Sequence, residues 1–166
     1  MIFNKITDIL GKGTVGFTMN ETMSGEHQFE KSYNIDGKHP FEFNLTWGPT
    51  DLLEWGNPHS DNFLVQPAKG YVTVGGIGSN IPCEGTFELK YFKDNKIIYN
   101  FDFEKDGVKY NYVGEKVNIK LWNLATSHTT CFGVLTEKET GKLVSKSITY
   151  FKLKTTFDFI KSFRII

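Results

Sequence analysis

Three ionisable residues fall in the phase of apolar side chains, where they could perform chemistry or contact a ligand. In the alternating stretch Val15–Phe29, Glu21 and His27 stand on the apolar face, and Glu115 takes a similar position in a later stretch. An unpartnered charge is costly to bury, so each group must be paired, hydrogen-bonded or functional. Each is therefore a candidate for contacting a ligand hydroxyl or carbonyl group. The alternatives are a strand end that reaches water, or an internal salt bridge such as one between Glu115 and a lysine.

The sequence His128-Thr129-Thr130-Cys131 raises a second possibility, a cysteine nucleophile activated by a histidine. Residues three apart on a regular strand point to opposite faces, so we expect Cys131 to be a small core residue instead. The histidines and cysteines show none of the close paired spacings of metal sites. Gly75-Gly76-Ile77-Gly78 is followed by Pro82 and a strand, which favours a bend over a phosphate cradle. The preferred interpretation has no catalytic residue, metal or cofactor.

An antiparallel meander positions these residues. The alternating stretches Thr86–Phe92, Lys96–Glu104 and Val108–Leu121 are separated by the turns Lys93-Asp94-Asn95 and Lys105-Asp106-Gly107. Alternation at period two indicates strands with one buried face. Short Asp, Asn and Gly turns between such strands indicate hairpins.

The last stretch of the meander contains a change of phase. Its apolar residues are Tyr110 and Tyr112 before Gly114, whereas Val117 after Gly114 is out of phase with them by one residue. A slip of one residue turns every side chain to the opposite face, so we predict a bulge at Gly114 that absorbs an extra residue. This bulge would bring Glu115 to the inner face.

A final hairpin is predicted from Thr129–Leu135 and Leu143–Leu153, joined through Lys138–Gly141, with Cys131 opposite Ser147. One of its faces carries small and polar residues: Cys131, Gly133, Ser145, Ser147 and Thr149. A wall of small residues leaves room for a ligand, unless large residues from opposite strands fill the space. The other face carries Phe132, Val134, Val144, Ile148 and Tyr150, so either face could be the inner one.

The remaining segments complete an all-β fold. We predict a helix over Phe3–Leu10, a strand over Phe41–Trp47, a long loop over Gly48–Asn62, strand material at Phe63–Gln66 and Gly70–Ile77, and a helix or strand over Phe157–Ile166. A loop of this length is often a lid or a binding loop, with a plain surface crossover as the alternative.

Together these segments predict one domain, residues 1–166, with roughly eight to ten antiparallel strands and short terminal helices. Mostly hairpin connections favour a closed calycin-like barrel, and about eight strands is where an interior can hold one small ligand. The predicted ligand-binding residues are Glu21, His27, Trp47, Tyr110, Tyr112, Glu115, Cys131, Ser147 and Thr149.

The composition narrows the class of partner. Lysine plus arginine equal aspartate plus glutamate at 19 each, and this zero balance argues against binding of nucleic acid or anionic membranes. Two cysteines suit free thiols of a reducing compartment. No secretory signal and no run of about 20 apolar residues is found, so we predict no membrane span and a cytoplasmic location.

Several short motifs occur in an order typical of one domain family. They are FTMNETMSG (17–25), Leu45-Thr46-Trp47, VTVGGIGSNIPCEGTF (72–87), Ile97–Phe103 with Asp106-Gly107, YVGEK (112–116) and HTTCF (128–132). With them the chain resembles the β-rich accessory domain of GMC-type, cholesterol-oxidase-like flavoprotein oxidoreductases. The chain departs from the family at Ala125-Thr126-Ser127-His128, where the family has a basic Trp-Arg-Asp stretch. The resemblance implies a lipocalin-like barrel for a sterol or other lipid, or for docking to an oxidoreductase.

Three functions follow from the sequence. The first is a non-enzymatic intracellular module that binds a small hydrophobic molecule, lipid- or sterol-like, inside the barrel. The second is an enzyme for a lipid-like or carbonyl substrate, with Glu21, His27 or Glu115 as acid or base. The third is a docking domain for an oxidoreductase partner, through Trp47–Trp55 and the loop around Trp122. The chain has no flavin-binding glycine fingerprint, so the resemblance carries over no oxidoreductase chemistry.

Overall fold

The computed structural model describes residues 15–90, 94–117, 130–151 and 164–166. The strands are β1 (Phe17–Phe29), β2 (Lys38–Trp47), β3 (Val65–Val74), β4 (Gly78–Lys90), β5 (Lys96–Lys105), β6 (Val108–Lys116), β7 (Thr130–Glu137), β8 (Leu143–Phe151) and β9 (Arg164–Ile165). A 3₁₀ turn (Lys31–Tyr33) and one short helix, α1 (Leu52–Trp55), lie between strands.

The strands form a closed antiparallel barrel. Each of β1 to β7 pairs with the next strand along the chain, and β8 pairs back with β1 to close the ring. The two-residue strand β9 extends the sheet at the start of β1. The predicted all-β, lipocalin-like barrel is therefore confirmed, with eight strands in the closed ring. The predicted helix at Phe3–Leu10 and most of Phe157–Ile166 lie outside the described residues.

The hairpin turns follow from local sequence. Between β5 and β6, Asp106 and Gly107 have φ angles of 53° and 79°, in the left-handed region. A two-residue turn with both central residues in this region matches the right-handed twist of the flanking strands, and Asp-Gly is a favoured pair for it. The predicted hairpin at this turn is confirmed.

Aromatic rings from several strands pack across the interior. Phe43 of β2 lies 5.1 Å from Tyr99 of β5 and 5.6 Å from Tyr112 of β6, measured between ring centroids. Phe101 lies 4.9 Å from Tyr112, and all four rings are almost fully buried. Pairs at such distances add to the stabilisation from burial itself. The middle of the barrel is thus filled by side chains.

The predicted bulge at Gly114 is wrong. Strand β6 keeps a single register against β5 and β7 through Lys116, which places Tyr112, Gly114 and Lys116 inside and Glu115 outside. Two contacts remove the need for a bulge. The Tyr112 ring occupies the space that a side chain at position 114 would fill, and the Lys116 ammonium group finds a buried acidic partner in Glu21.

A bulge does occur in the final hairpin, on β8. Leu135 pairs with Ser145 and Thr136 with Leu143, so Val144 is the extra residue. The pairing of Thr136 with Leu143 moves the register by one residue from the prediction, and the bulge moves it by one more. Cys131 therefore pairs with Thr149, two residues beyond the predicted partner Ser147. A shift of two residues keeps the same face inward. The small and polar face is therefore the inner one, which resolves the alternative that the sequence left open.

Candidate functional site

A buried ion pair lies inside the barrel. The Lys116 ammonium group donates to Glu21 Oε1 at 2.6 Å, and the two side chains are only 1% and 4% exposed. The Tyr99 hydroxyl donates to the other oxygen, Glu21 Oε2, at 2.9 Å. The Lys116 ammonium also lies 4.9 Å from the centre of the Phe151 ring, a cation–π contact. Both carboxylate oxygens therefore have a donor.

The tyrosine of this network stays protonated. Burial, followed by the nearby charge of Glu21, raises the pKa of Tyr99 well above its usual range. Tyr99 therefore acts as a hydrogen-bond donor and not as a base. An ion pair is retained in an apolar interior only when its geometry is good and its remaining polar atoms are satisfied, and the Glu21 carboxylate meets that condition.

A second polar cluster occupies the wall formed by β6, β7 and β8. The Tyr112 hydroxyl lies 3.1 Å from Ser147 Oγ and 3.8 Å from Cys131 Sγ, with Thr149 buried opposite Cys131. Burial raises the pKa of the Cys131 thiol to about 12 and that of Tyr112 well above its usual range. Cys131 is therefore a neutral core thiol and not a thiolate nucleophile. Its predicted neighbour His128 lies outside the described residues.

The space that the small residues leave is taken by the Tyr112 ring. A Cβ added to Gly133 would lie 2.1 Å from Tyr112 Oη, and one added to Gly114 would lie 2.8 Å from the same ring. The ring therefore lies against the backbone of both glycines. The sequence left open whether the small residues of this wall leave room for a ligand or whether large residues fill the space. At Gly114 and Gly133 a large side chain, Tyr112, fills it.

His27 is held in its neutral form at the other end of β1. Its Nε2 lies 2.9 Å from the Gly75 carbonyl oxygen, which can only accept, so Nε2 carries the proton. Its Nδ1 lies 2.9 Å from Ser145 Oγ and accepts from that hydroxyl. Burial lowers the pKa of His27 below 6.5. Glu21 and His27 are six positions apart along β1, which corresponds to roughly 20 Å, so no acid–base pair forms between them.

The other predicted site residues are dispersed. Glu115 points outward and pairs with Lys96 at 3.2 Å, the lysine salt bridge that was the alternative to a ligand contact, although on the surface. Trp47 stacks on Phe87 at 4.1 Å, near the end of the barrel that carries α1. Tyr110 stacks on Phe103 at the opposite end.

The loop after β2 packs beside the barrel end at Trp47, where its backbone bonds with Val15 and Phe17 at the start of β1. Asp51 is the N-cap of α1, and its side chain accepts from the backbone N–H groups of Leu53 and Glu54. The Trp55 indole at the end of α1 donates to Gln66 Oε1 at 2.5 Å. The loop is thereby fixed to β3, and both the lid and the plain surface crossover remain as interpretations of it.

Gln66 carries an unsatisfied donor at this end. Its side chain is 2% exposed, and its Nε2 has no hydrogen-bond partner among the described residues. The amide cannot be reversed without loss of the bond from Trp55, so the free group is an N–H donor. A pocket of about 290 Å³ lies between the loop and β3, with Trp55 and Gln66 in its lining.

Lys116, Tyr99 and Gln66 were missed by sequence reasoning. Lys116 follows Tyr112 and Gly114 in unbroken alternation, and Gln66 precedes Ala68 in the inward phase of β3. In the sequence Gln66 appeared to end one stretch of strand before another began at Gly70. The inward position of Glu21 was a further signal, because a buried carboxylate calls for a cationic partner.

In the part of the chain that the structure describes, the fold and the site define a closed antiparallel β-barrel with an aromatic interior, a buried ion pair whose carboxylate oxygens both have a donor, and one unsatisfied amide donor. No protein-family model, no curated protein and no solved structure matches this chain. Within the described ranges, no helix is long and apolar enough to span a membrane. Over the same ranges, no group of three or more histidine, cysteine, aspartate or glutamate side chains is placed to hold a metal ion.

Proposed function

We propose that this protein is a non-enzymatic intracellular binding module for a small hydrophobic molecule, lipid- or sterol-like, with a single polar group. The observation that carries the proposal is the buried, unpartnered Nε2 of Gln66. A buried donor without an acceptor costs about 1–3 kcal/mol, and a ligand hydroxyl or carbonyl oxygen would remove that penalty. Ligand binding would therefore satisfy a group that the protein leaves without a partner.

Aromatic rings on the inner side of Gln66 supply apolar surface for a ligand body. Gln66 is paired with Phe87 in the sheet, Trp47 stacks on Phe87, and Phe17 lies 6.1 Å from Trp47 and 5.9 Å from Trp55. The outer part of the pocket is polar, with Asp51, Glu54 and Asn62 in its lining. The rings that fill the middle of the barrel restrict the ligand to this end. One donor in an apolar setting suits a fatty alcohol, fatty acid or sterol better than a sugar or nucleotide, which carry many polar groups.

Ligand titration tests the proposal. Tryptophan fluorescence would follow the addition of 1-dodecanol, oleic acid and cholesterol to delipidated protein, and native mass spectrometry would examine protein from its own host. We expect saturable binding of at least one probe, weakened about 3- to 10-fold in Gln66→Met. Gln28→Met is the matched control because Gln28 is exposed on the outer face of β1. Failure of all three probes to bind, or equal affinity in the two variants, would refute the proposal.

Docking to a flavoprotein oxidoreductase is the second candidate, and it extends the resemblance noted in the sequence. Leu53 of α1 is 68% exposed next to the fixed Trp55, which supplies apolar surface for such a partner. Leu53→Glu should then abolish co-purification with a GMC-type enzyme encoded by the same host. Both cysteines are free, which supports the cytoplasmic location that we propose for either role.

A further inference from the structure

A contiguous apolar surface lies outside the barrel, on the strands that form the final hairpin. Phe132 and Val134 of β7 are 49% and 41% exposed, and Ile148 and Tyr150 of β8 are 38% and 46% exposed. Phe132 is directly opposite Ile148 in the sheet, so the side chains form one patch. We call these four residues the hairpin face. Exposed apolar residues that are clustered and rimmed by polar groups are typical of an interaction surface.

Charged pairs bound the hairpin face on both sides. Glu26 of β1 pairs with Lys38 of β2 on one side, and Glu115 of β6 pairs with Lys96 of β5 on the other. Glu26 lies opposite Ile148, and Glu115 lies opposite Phe132. A groove of about 570 Å³ runs along this surface. Lys146 of β8 also points outward, directly opposite Val134, and lines the groove. The face therefore has an apolar centre at Phe132 and Ile148, one lysine beside it and two rims of mixed charge.

We propose that the hairpin face binds a second copy of this chain, forming a weak, symmetric, face-to-face dimer. In such a dimer the same patch is used by both subunits, so it must be complementary to itself. An apolar centre meets this requirement directly. The barrel is closed, so no edge of the ring from β1 to β8 is left for pairing between strands, and a dimer through these strands has to use side chains on their outer face.

The charges favour a second copy over a strongly charged partner. Each rim offers one carboxylate and one ammonium group, so any rim placed against another meets both signs. A nucleic acid or a strongly acidic or basic protein would meet an unfavourable charge on each rim. The chain as a whole has a formal net charge of zero, so two copies do not repel one another at long range.

The size of the face sets the expected strength. Because the closed barrel curves away from a partner, a second barrel can contact about three strand widths of roughly 4.8 Å, with three outward residues along each strand, which cover roughly 300 Å². Two copies would bury roughly 600 Å² in total, an area typical of a weak and transient contact. The dimer should therefore depend strongly on concentration.

Sedimentation equilibrium tests the proposal on the full chain. The weight-average mass should rise from 19.0 kDa toward twice that value as the concentration increases from about 10 μM to about 1 mM. Phe132→Lys and Ile148→Lys should each remain monomeric over this range. Tyr71→Lys is the control, because Tyr71 is 55% exposed on β3, away from the hairpin face, and it should dimerise like the unmodified protein.

Circular dichroism would verify that each variant is folded, and the two lysine variants provide independent tests if one is unstable. If the unmodified protein is a monomer at every concentration, the proposal is wrong, even if a different protein is found to bind this face. Dimerisation of Phe132→Lys and Ile148→Lys at the level of the unmodified protein would also overturn it.

Discussion

The buried ion pair leads to a strong prediction about stability. Lys116→Met removes the ammonium group and keeps an apolar chain of similar length beside Phe151. Glu21 is then left 4% exposed, with the Tyr99 hydroxyl as its one remaining donor among the contacts described here. Removing one partner from a buried pair costs about 3–5 kcal/mol, which is a large share of the 5–15 kcal/mol that typically stabilises a domain.

Neutralising both partners should restore most of that loss. In the double variant Glu21→Gln with Lys116→Met, no charge remains in the interior, and the amide oxygen of the new glutamine accepts from Tyr99. Exchange of a complete buried pair for neutral groups is often close to neutral in stability. We therefore expect the double variant to be more stable than Lys116→Met alone, by at least about 2 kcal/mol.

Urea unfolding of all four proteins measures this cycle. Each single variant should lower the free energy of unfolding, and the coupling energy between the two sites should be clearly non-zero. If Lys116→Met does not fold, recovery of a folded protein on adding Glu21→Gln gives the same information. A loss of less than about 1 kcal/mol in each single variant, or additive losses, would show that these groups reach solvent and that the described pair is not buried.

Three further predictions concern other inner residues. Burial lowers the pKa of His27 from 6.5, so the unfolded chain binds the proton more readily than the folded protein, and the free energy of unfolding decreases as the pH falls below about 6.5. Denaturant unfolding at several pH values should show a smaller decrease in His27→Gln. The same pH dependence in this variant and in the unmodified protein would contradict the prediction. Gly133→Ala forces a methyl group into the Tyr112 ring and should lower the free energy of unfolding by about 1–3 kcal/mol, whereas an unchanged melting temperature would mean that the ring can move aside. Burial raises the pKa of the Cys83 and Cys131 thiols to about 12, so a disulfide reagent at about pH 8 should modify them only as fast as the protein unfolds, and rapid labelling of native protein would refute this.

The sequence was sufficient for the barrel because period-two alternation is a local property. The Asp106-Gly107 turn and the inward phase of Glu21 and His27 were all readable within a dozen residues. Register was not readable in this way. The bulge at Val144 depends on how β8 fits β7, and the phase change near Gly114 looked like a bulge because Val117 is apolar.

The candidate site was harder to predict because its contacts are distant in sequence. Glu21 and Lys116 are 95 residues apart, and only closure of the barrel brings them together. A lysine at an inward position also contradicts the usual preference of that residue for the surface, so it is accepted only once its partner is known. The unsatisfied amide of Gln66 could not be predicted at all, since it depends on Trp55 holding the amide oxygen.

Gln66 is a better place for a ligand than the buried ion pair. The oxygens of Glu21 already accept from Lys116 and Tyr99. A ligand that approached them would have to displace a protein donor, so it would gain little. The Gln66 amide nitrogen has no such competitor among the described residues, and any acceptor that reaches it improves the total free energy. The weakest point of hydrogen bonding in this interior, and not its most strongly charged point, is therefore the better candidate for binding.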